Sequence, residues 1–155
     1  MARQRSVFSL ILVLLATFLI SCSGASVAVA PPTYTAQQVA KIQEYVTPIE
    51  AVRDRSPELQ QLIETKDWIN VGNFIHGPIT EAKLAISYIT PNLLPKDQPA
   101  AREISRDFLK HLVKIDQGAT QANSQLALSN YQAAFADLDK FLELLPKTSS
   151  QSEAS

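Results

Sequence analysis

Cysteine is almost absent from this sequence, since Cys22 is the only one among 155 residues. A single thiol excludes a disulfide within the chain and a metal site built from several cysteines. Glycine is also scarce, with four residues, and no glycine-rich loop that could hold a phosphate is present. Basic residues are not in excess, because the formal net charge is −1, which argues against nucleic acid as a partner. The fold must therefore be stabilised by packing without covalent cross-links.

Motifs that frame catalytic residues are missing as well. Serine, histidine and aspartate all occur, but no nucleophile elbow surrounds a serine. Acidic residues are scattered over different predicted helix faces, whereas catalytic carboxylates need burial and proximity to one another. We therefore expect a protein that is not an enzyme.

The first 21 residues have the pattern of a secretory signal. Arg3 and Arg5 precede an uncharged apolar run, residues 7–20, which ends in small residues. The run is about 14 residues long, whereas a helix that spans a bilayer needs about 20. We expect residues 1–21 to be removed, and the loss of Arg3 and Arg5 then lowers the net charge from −1 to about −3.

The end of this signal, LISC at residues 19–22, resembles a bacterial lipobox. In a lipobox a diacylglyceryl group is attached to the cysteine thiol, and cleavage follows just before that cysteine. Cys22 carries the only thiol of the chain, so we predict that it is the site of lipid attachment. The alternative is an ordinary signal that is cleaved after Ala28 or Ala30.

Apolar residues at intervals of three and four dominate the rest of the chain, and no alternating run is long enough for a sheet. We predict an all-α protein, an antiparallel up-down-up-down four-helix bundle over residues 35–146. Residues 22–34 are small and uncharged and are expected to form a lipid-anchored flexible tether. Residues 147–155 lack large apolar side chains and are expected to form a disordered tail.

The first two helices are predicted from caps and prolines. A capping box at residues 35–38 begins the first helix, which Pro48 should kink and which should end at residues 53–55. Ser56 and Pro57 then have the pattern of a new helix start. We expect one long second helix over residues 57–89. It should be loosened at residues 65–66, where Asp67 is a possible second cap, and bent at residues 76–78.

The last two helices follow a proline-rich breaker at residues 90–98. Asp97 is expected to cap the third helix, whose apolar stripe runs from Ala101 through Ala122 to Leu126. A second capping box is predicted at residues 129–132. The fourth helix should end before Pro146.

His111 is the first candidate metal ligand. It follows Glu103 and Asp107 at intervals of four, and imidazole and carboxylate groups are common metal ligands. Lys110 and Lys114 lie beside it, however, and indicate instead a solvated face with ion pairs between neighbouring turns. We therefore predict no physiological metal site, with His111 and Asp107 as weak candidates.

His76 and Trp68 lie within the second predicted helix. His76 is expected to be partly buried and bonded to backbone groups that Pro78 leaves free. Its alternatives are a docking contact or, as a third weak candidate, a metal ligand. Trp68 is expected to pack in the core and to fix the start of the strongest apolar stripe.

Residues 67–78, DWINVGNFIHGP, carry the most specific resemblance to a known family. With the lipoprotein signal before them and the bundle pattern around them, they make the chain similar to the cyanobacterial members of the PsbQ family. These proteins are extrinsic lumenal subunits of photosystem II. The resemblance covers essentially the whole chain, although the other helices match only in pattern.

The resemblance implies a non-catalytic subunit on the lumenal side of the thylakoid membrane, anchored by lipid on Cys22. It implies contacts with PsbO and with an inner antenna subunit of photosystem II. It also implies that the subunit stabilises the oxygen-evolving complex and helps it to retain calcium and chloride, without binding a cofactor itself. Only Cys22 is carried over from the family as a site.

Two alternatives remain open at this point. One is a generic lipid-anchored helical scaffold or assembly factor, because residues 118–146 faintly resemble a single tetratricopeptide hairpin. The other is a periplasmic or lumenal metal-binding bundle that uses His76 or His111.

Overall fold

The computed structural model describes residues 32–147, and the predicted signal, most of the tether and nearly all of the tail lie outside this range. Within it every regular element is a helix, which confirms the all-α prediction. The helices are α1 (Ala36–Asp54), α2 (Ser56–Glu64), α3 (Trp68–His76), α4 (Pro78–Ile89), α5 (Gln98–Thr120) and α6 (Ser124–Glu143), with a short 3₁₀ turn over Thr90–Asn92.

These helices form the four arms of a bundle. Only Arg55 separates α1 from α2, and both helices pack against α6, so together they make the first arm. Only Gly77 separates α3 from α4, which together make the second arm. The third and fourth arms are α5 and α6, which pack closely against each other. The predicted four-helix bundle is therefore consistent with the structure.

Long-range contacts give the relative direction of neighbouring arms. Tyr45 of α1 stacks on Tyr88 of α4, with ring centroids 5.0 Å apart. Tyr34, which precedes α1, bonds to Leu94 and Asp97, which follow α4. The residue earlier in the first arm, Tyr34, thus meets residues later in the chain than the partner of Tyr45. This is the order of contacts expected for two antiparallel neighbours.

The first reversal of the chain occurs at Lys66, which has a left-handed backbone with φ of 59°. The Asp67 N–H donates to the Leu62 carbonyl at 2.8 Å, and the Lys66 N–H donates to the Ile63 carbonyl at 3.2 Å. This is the Schellman pattern that ends a helix. The Asp67 carboxylate then accepts from the Asn70 N–H at 3.3 Å and caps α3, as predicted.

The last reversal, between α5 and α6, uses the same geometry at Ala122, whose φ is 52°. The Asn123 N–H donates to the Gly118 carbonyl at 2.8 Å, and the Ala122 N–H donates to the Ala119 carbonyl at 3.2 Å. The Asn123 side chain accepts from the Leu126 N–H at 3.0 Å and caps α6. One non-glycine residue in the left-handed region, followed by an Asp or Asn cap, therefore makes both turns.

These reversals correct two predicted helix boundaries. The second arm begins at Trp68 instead of Pro57, because the chain continues through Arg55 and turns only at Lys66; Ser56 provides no side-chain cap. The fourth helix begins at Ser124 instead of residue 129. The Ser129 hydroxyl bonds to the Leu126 carbonyl inside α6, so the second predicted capping box is wrong.

Two other local predictions, a capping box and a bend, are confirmed. The capping box at Thr35 is confirmed, because both of its hydrogen bonds with Gln38 are present. The predicted bend at residues 76–78 is confirmed as the break between α3 and α4, at Gly77. The first helix continues through Pro48 to Asp54.

The core lies between the four arms and is built from the predicted stripes. Its largest fully buried side chains include Phe108, Phe141, Ile42, Ile49, Leu59, Ile63, Ile79, Ile89, Leu93, Ile115 and Leu138. Ala122 and Leu126 were predicted to continue the stripe of the third helix. Ala122 instead lies exposed in the turn, because its left-handed backbone ends that helix.

Tyr34 lies with the bundle and not with the predicted tether. Its hydroxyl donates to Asp97 Oδ2 at 3.2 Å and accepts from the Leu94 N–H at 3.3 Å. Asp97 precedes α5 as predicted, but its side chain makes no capping bond to that helix. Burial is the largest cause that raises the pKa of Tyr34; the Leu94 N–H lowers this pKa and the Asp97 carboxylate raises it further.

We predict that Tyr34→Phe lowers the free energy of unfolding by about 0.5–1.5 kcal/mol at pH 8, because it removes this pair of hydrogen bonds. The raised pKa favours the protonated phenol in the folded state. This contribution is complete below the unfolded pKa of about 10 and is lost as the pH rises through the folded pKa. Urea unfolding of both proteins should therefore show a smaller difference at pH 10.5 than at pH 8. A difference independent of pH would contradict this role of the hydroxyl.

Gly118 and Gly72 form a matched pair for testing helix packing. A Cβ atom at Gly118 would lie 2.8 Å from the Ala127 backbone nitrogen and 3.0 Å from the Ala127 Cβ, whereas a Cβ at Gly72 meets nothing within 4 Å. We expect Gly118→Ala to destabilise the domain by about 1–3 kcal/mol because α5 and α6 must move apart. Gly72→Ala should stabilise it by up to about 1 kcal/mol because alanine favours helix. Thermal unfolding checks both, and a neutral Gly118→Ala variant would show that the close approach is not needed.

Candidate docking surface

Cys22, the predicted lipid attachment site, lies outside the described residues. Trp68 is partly buried at the start of α3 and packs against the core, as expected. It does not form an exposed platform for a ligand.

His76 is exposed, so the prediction that it is partly buried is wrong. Its side chain is 71% exposed, and Nε2 lies 3.3 Å from Asp116 Oδ1 on α5. The hydrogen bond to the His76 carbonyl at the break before Pro78 comes from the Thr80 hydroxyl, at 3.1 Å. The imidazole therefore contacts Asp116 on α5 and lies largely in solvent.

His111 and Asp107, which were predicted to share a helix face with Glu103, have different bonded partners. Asp107 is paired with Lys110, whose Nζ lies 2.8 Å from Asp107 Oδ1. The hydrogen bond from Lys110 lowers the pKa of Asp107. The His111 ring faces α6 instead, where Nδ1 lies 3.1 Å from Asn130 Oδ1.

A small polar cluster on α6 therefore surrounds His111. The Asn130 Nδ2 donates to the Leu126 carbonyl at 2.8 Å, which leaves Asn130 Oδ1 as the acceptor and His111 Nδ1 as the donor. Nε2 lies 3.6 Å from Asp137 Oδ2, and Asp137 is 7% exposed. The other oxygen of Asp137 accepts from Lys140 at 2.9 Å, and this bond raises the pKa of Lys140.

Sequence reasoning did not identify Asn130 and Asp137. The available signal was an acidic residue beside the buried stripe of α6, with Lys140 three positions later. Within residues 32–147, no group of three or more histidine, cysteine or acidic side chains is arranged to hold a metal ion. The three weak metal candidates are thus distributed among three separate contacts. His76 lies beside Asp116, His111 lies beside Asp137, and Asp107 pairs with Lys110.

Exposed apolar side chains concentrate on α4 and α5. Of the five large hydrophobic residues that the described part of the chain exposes, Leu84 and Tyr88 lie on α4, and Leu109 and Val113 lie on α5. The fifth, Ile69, is on α3. Leu84, Leu109 and Val113 line a groove between α4 and α5.

This α4/α5 groove has two contiguous parts of about 650 and 320 Å³ that share Ser87, Ser105 and Leu109. It forms because α4 packs closely on α1, and α5 packs closely on α6, whereas α4 and α5 approach each other less closely. Small side chains at Ser87 and Ser105 leave the space between the two helices open. The remaining lining residues are Thr80, Lys83, Leu84, Ile86, Thr90, Pro91, Arg102, Arg106, Phe108, Lys110 and Val113.

The rim of the α4/α5 groove is basic. Arg102, Arg106 and Lys110 recur every four residues and so follow one another along α5. Lys83 adds a fourth cation from α4, and no carboxylate lines either part of the groove. The surface can therefore hold an apolar group beside negative charge, which is the chemistry of a docking site.

No helix within residues 32–147 combines the length and the hydropathy that a membrane span requires. The structure itself thus presents a helical bundle with a basic, apolar groove on one side.

The comparisons with known proteins agree with the sequence resemblance. A family model described as oxygen evolving enhancer protein 3, PsbQ, matches residues 2–146. The protein CyanoQ of Synechocystis sp. is 41% identical over 150 residues, which cover 96% of this chain and 100% of that protein. The chain therefore belongs to the PsbQ family of oxygen-evolving enhancer proteins, which are non-enzymatic subunits of photosystem II.

Proposed function

We propose that this protein is a lipid-anchored extrinsic subunit on the lumenal side of photosystem II, where it stabilises the oxygen-evolving complex. The observation that supports this most strongly is the match to the PsbQ family over residues 2–146. The alignment with CyanoQ along 96% of the chain supports the cyanobacterial form of the family. Association with photosystem II follows from the family.

In the proposed mechanism the subunit covers a surface and supplies no ligand. Its partners are PsbO and an inner antenna subunit, and the bound bundle slows the loss of calcium and chloride from the oxygen-evolving complex. The α4/α5 groove supports such a role, because an exposed apolar surface with a polar rim is typical of a protein–protein contact. The buried Thr90 bonds to the Ile86 carbonyl and the buried Asp137 pairs with Lys140, which is consistent with structural roles for both.

The lipid on Cys22 would keep the subunit at the thylakoid membrane. Each buried CH₂ group of an acyl chain contributes about 0.8 kcal/mol, and stable anchoring needs two signals, which a diacylated cysteine supplies. Since Cys22 lies shortly before the bundle in sequence, the anchor would also hold the docking surface near its partner. Tethering of this kind raises the effective concentration to about the millimolar range and permits a weak contact to stay occupied.

Deletion of the gene tests the proposed function. We expect oxygen evolution, measured with an oxygen electrode, to decrease most when calcium or chloride is scarce in the medium, because ions lost from an uncovered complex are then replaced slowly. Restoring the wild-type gene is the control. Equal rates in the deletion strain and the wild type under ion limitation would refute the proposal.

Cys22→Ser tests the anchor separately. Without the thiol no lipid can be attached, so we expect an uncleaved or soluble form in place of the mature, membrane-bound one. Ser21→Ala, which keeps the thiol, is the matched control and should mature normally. Membrane fractionation and mass spectrometry of the chain check both variants, and unchanged maturation of Cys22→Ser would rule out lipidation at this residue.

A further inference from the structure

We propose that the α4/α5 groove is the surface that docks on photosystem II, and that its occupant is an acidic protein segment with one or two large apolar side chains. This inference rests on the proposed function and adds the docking face and the chemistry of the partner. The apolar side chains of the segment enter between Leu84, Leu109 and Val113. Its carboxylates meet the basic row on α5.

Exposure of the groove residues supports an interface. Val113 is 66% exposed and Leu84 is 53% exposed, although both are apolar. Leu109 is 39% exposed at the point that both parts of the groove share. Covering these side chains releases water from apolar surface, which is the main source of free energy in protein association.

Charge determines which kind of partner fits. The groove is lined by four cationic side chains and no carboxylate, whereas the whole chain has a net charge of −1. Arg102 donates at 2.7 Å to the neutral side chain of Gln98, so its charge is not neutralised there. Lys110 is paired with the exposed Asp107, and within residues 32–147 neither Arg106 nor Lys83 forms an ion pair.

The spacing of the basic row indicates the form of the occupant. Arg102 and Lys110 are eight residues apart on α5, which corresponds to about 12 Å along the helix axis. Carboxylates at positions i, i+4 and i+8 of a partner helix have the same spacing as the basic row. A helix bound in a groove inserts the apolar residues of one face, which recur at intervals of three and four. Arginine can also bind a carboxylate through two parallel hydrogen bonds, which fixes the register of the partner.

Other occupants match these features less well. Residues 23–34 of this chain contain no acidic residue, and residues 147–155 contain one, Glu153, without a large apolar side chain. A lipid surface is flat on the scale of one helix, whereas Leu109 lies in a concave groove between two helices. A protein segment that carries both apolar side chains and carboxylates can contact the apolar floor of the groove, formed by Leu84, Leu109 and Val113, and its basic rim at the same time.

The experiment uses full-length chains expressed from the native gene and photosystem II complexes that lack the subunit. Arg102→Glu with Arg106→Glu reverses two rim charges, and Lys96→Glu with Lys147→Glu changes the net charge equally at exposed positions outside the groove. We expect the rim variant to bind photosystem II at least about tenfold more weakly and the control to bind within about twofold of the wild type. Wild-type binding should weaken as salt increases.

A second pair of variants tests the apolar floor. Val113→Gln removes an exposed groove residue, and Ile69→Gln removes a similarly exposed residue on α3, which is 79% exposed. Only Val113→Gln should weaken binding, and circular dichroism of all variants should show unchanged helix content and melting temperature. Equal binding by the rim variant, the Val113→Gln variant and the wild type would overturn the proposed docking face while leaving the proposed function intact.

Three further outcomes are informative. If the wild-type chain itself does not bind photosystem II, the proposed function fails, and this inference fails with it. Binding of the full-length Cys22→Ser chain to phosphatidylglycerol vesicles, with loss of that binding in the rim variant, would assign the groove to lipid and overturn a protein occupant. A wild-type dimer in analytical ultracentrifugation that the rim variant cannot form would likewise overturn it in favour of a second copy.

Discussion

Two of the three reversals that join the four arms of the bundle place a non-glycine residue in the left-handed backbone region. Lys66 and Ala122 adopt this conformation at a cost of about 1–2 kcal/mol each. Two backbone hydrogen bonds at each turn and a side-chain cap from Asp67 or Asn123 offset that cost. Both turns therefore end one arm and begin the next with the same set of backbone and side-chain hydrogen bonds.

The pairing of arms also explains why one side of the bundle is open. α4 packs on α1, and α5 packs on α6 around Gly118, whose missing side chain permits the close approach to Ala127. The two pairs of helices then meet less closely along α4 and α5, where Ser87 and Ser105 are too small to fill the space. The α4/α5 groove thus arises from the same packing that stabilises the fold, without a dedicated loop or domain.

Polar groups inside the bundle are directed toward other parts of the same chain. His111 of α5 lies beside both Asn130 and Asp137 of α6, and His76 faces Asp116 at the surface. None of these contacts assembles the buried carboxylate pair or the activated nucleophile that catalysis needs. This agrees with membership of a non-enzymatic family of photosystem II subunits.

The sequence by itself determined the helical class, the capping box at Thr35, the cap at Asp67, the break before Pro78 and the family, because each is encoded in residues that are close in the chain or in a pattern repeated along it. It did not determine where these arms reverse. Ser56 and Ser129 had local cap patterns, yet the turns occur at Lys66 and Ala122. Packing of the arms against one another decides which residue adopts a left-handed backbone. The environments of His76 and His111 were likewise decided by the tertiary structure, since Asp116, Asn130 and Asp137 lie far from them in sequence. The α4/α5 groove was also decided by the tertiary structure. The exposure of Leu84 and Val113 depends on the distance between two helices, which a local sequence pattern does not determine.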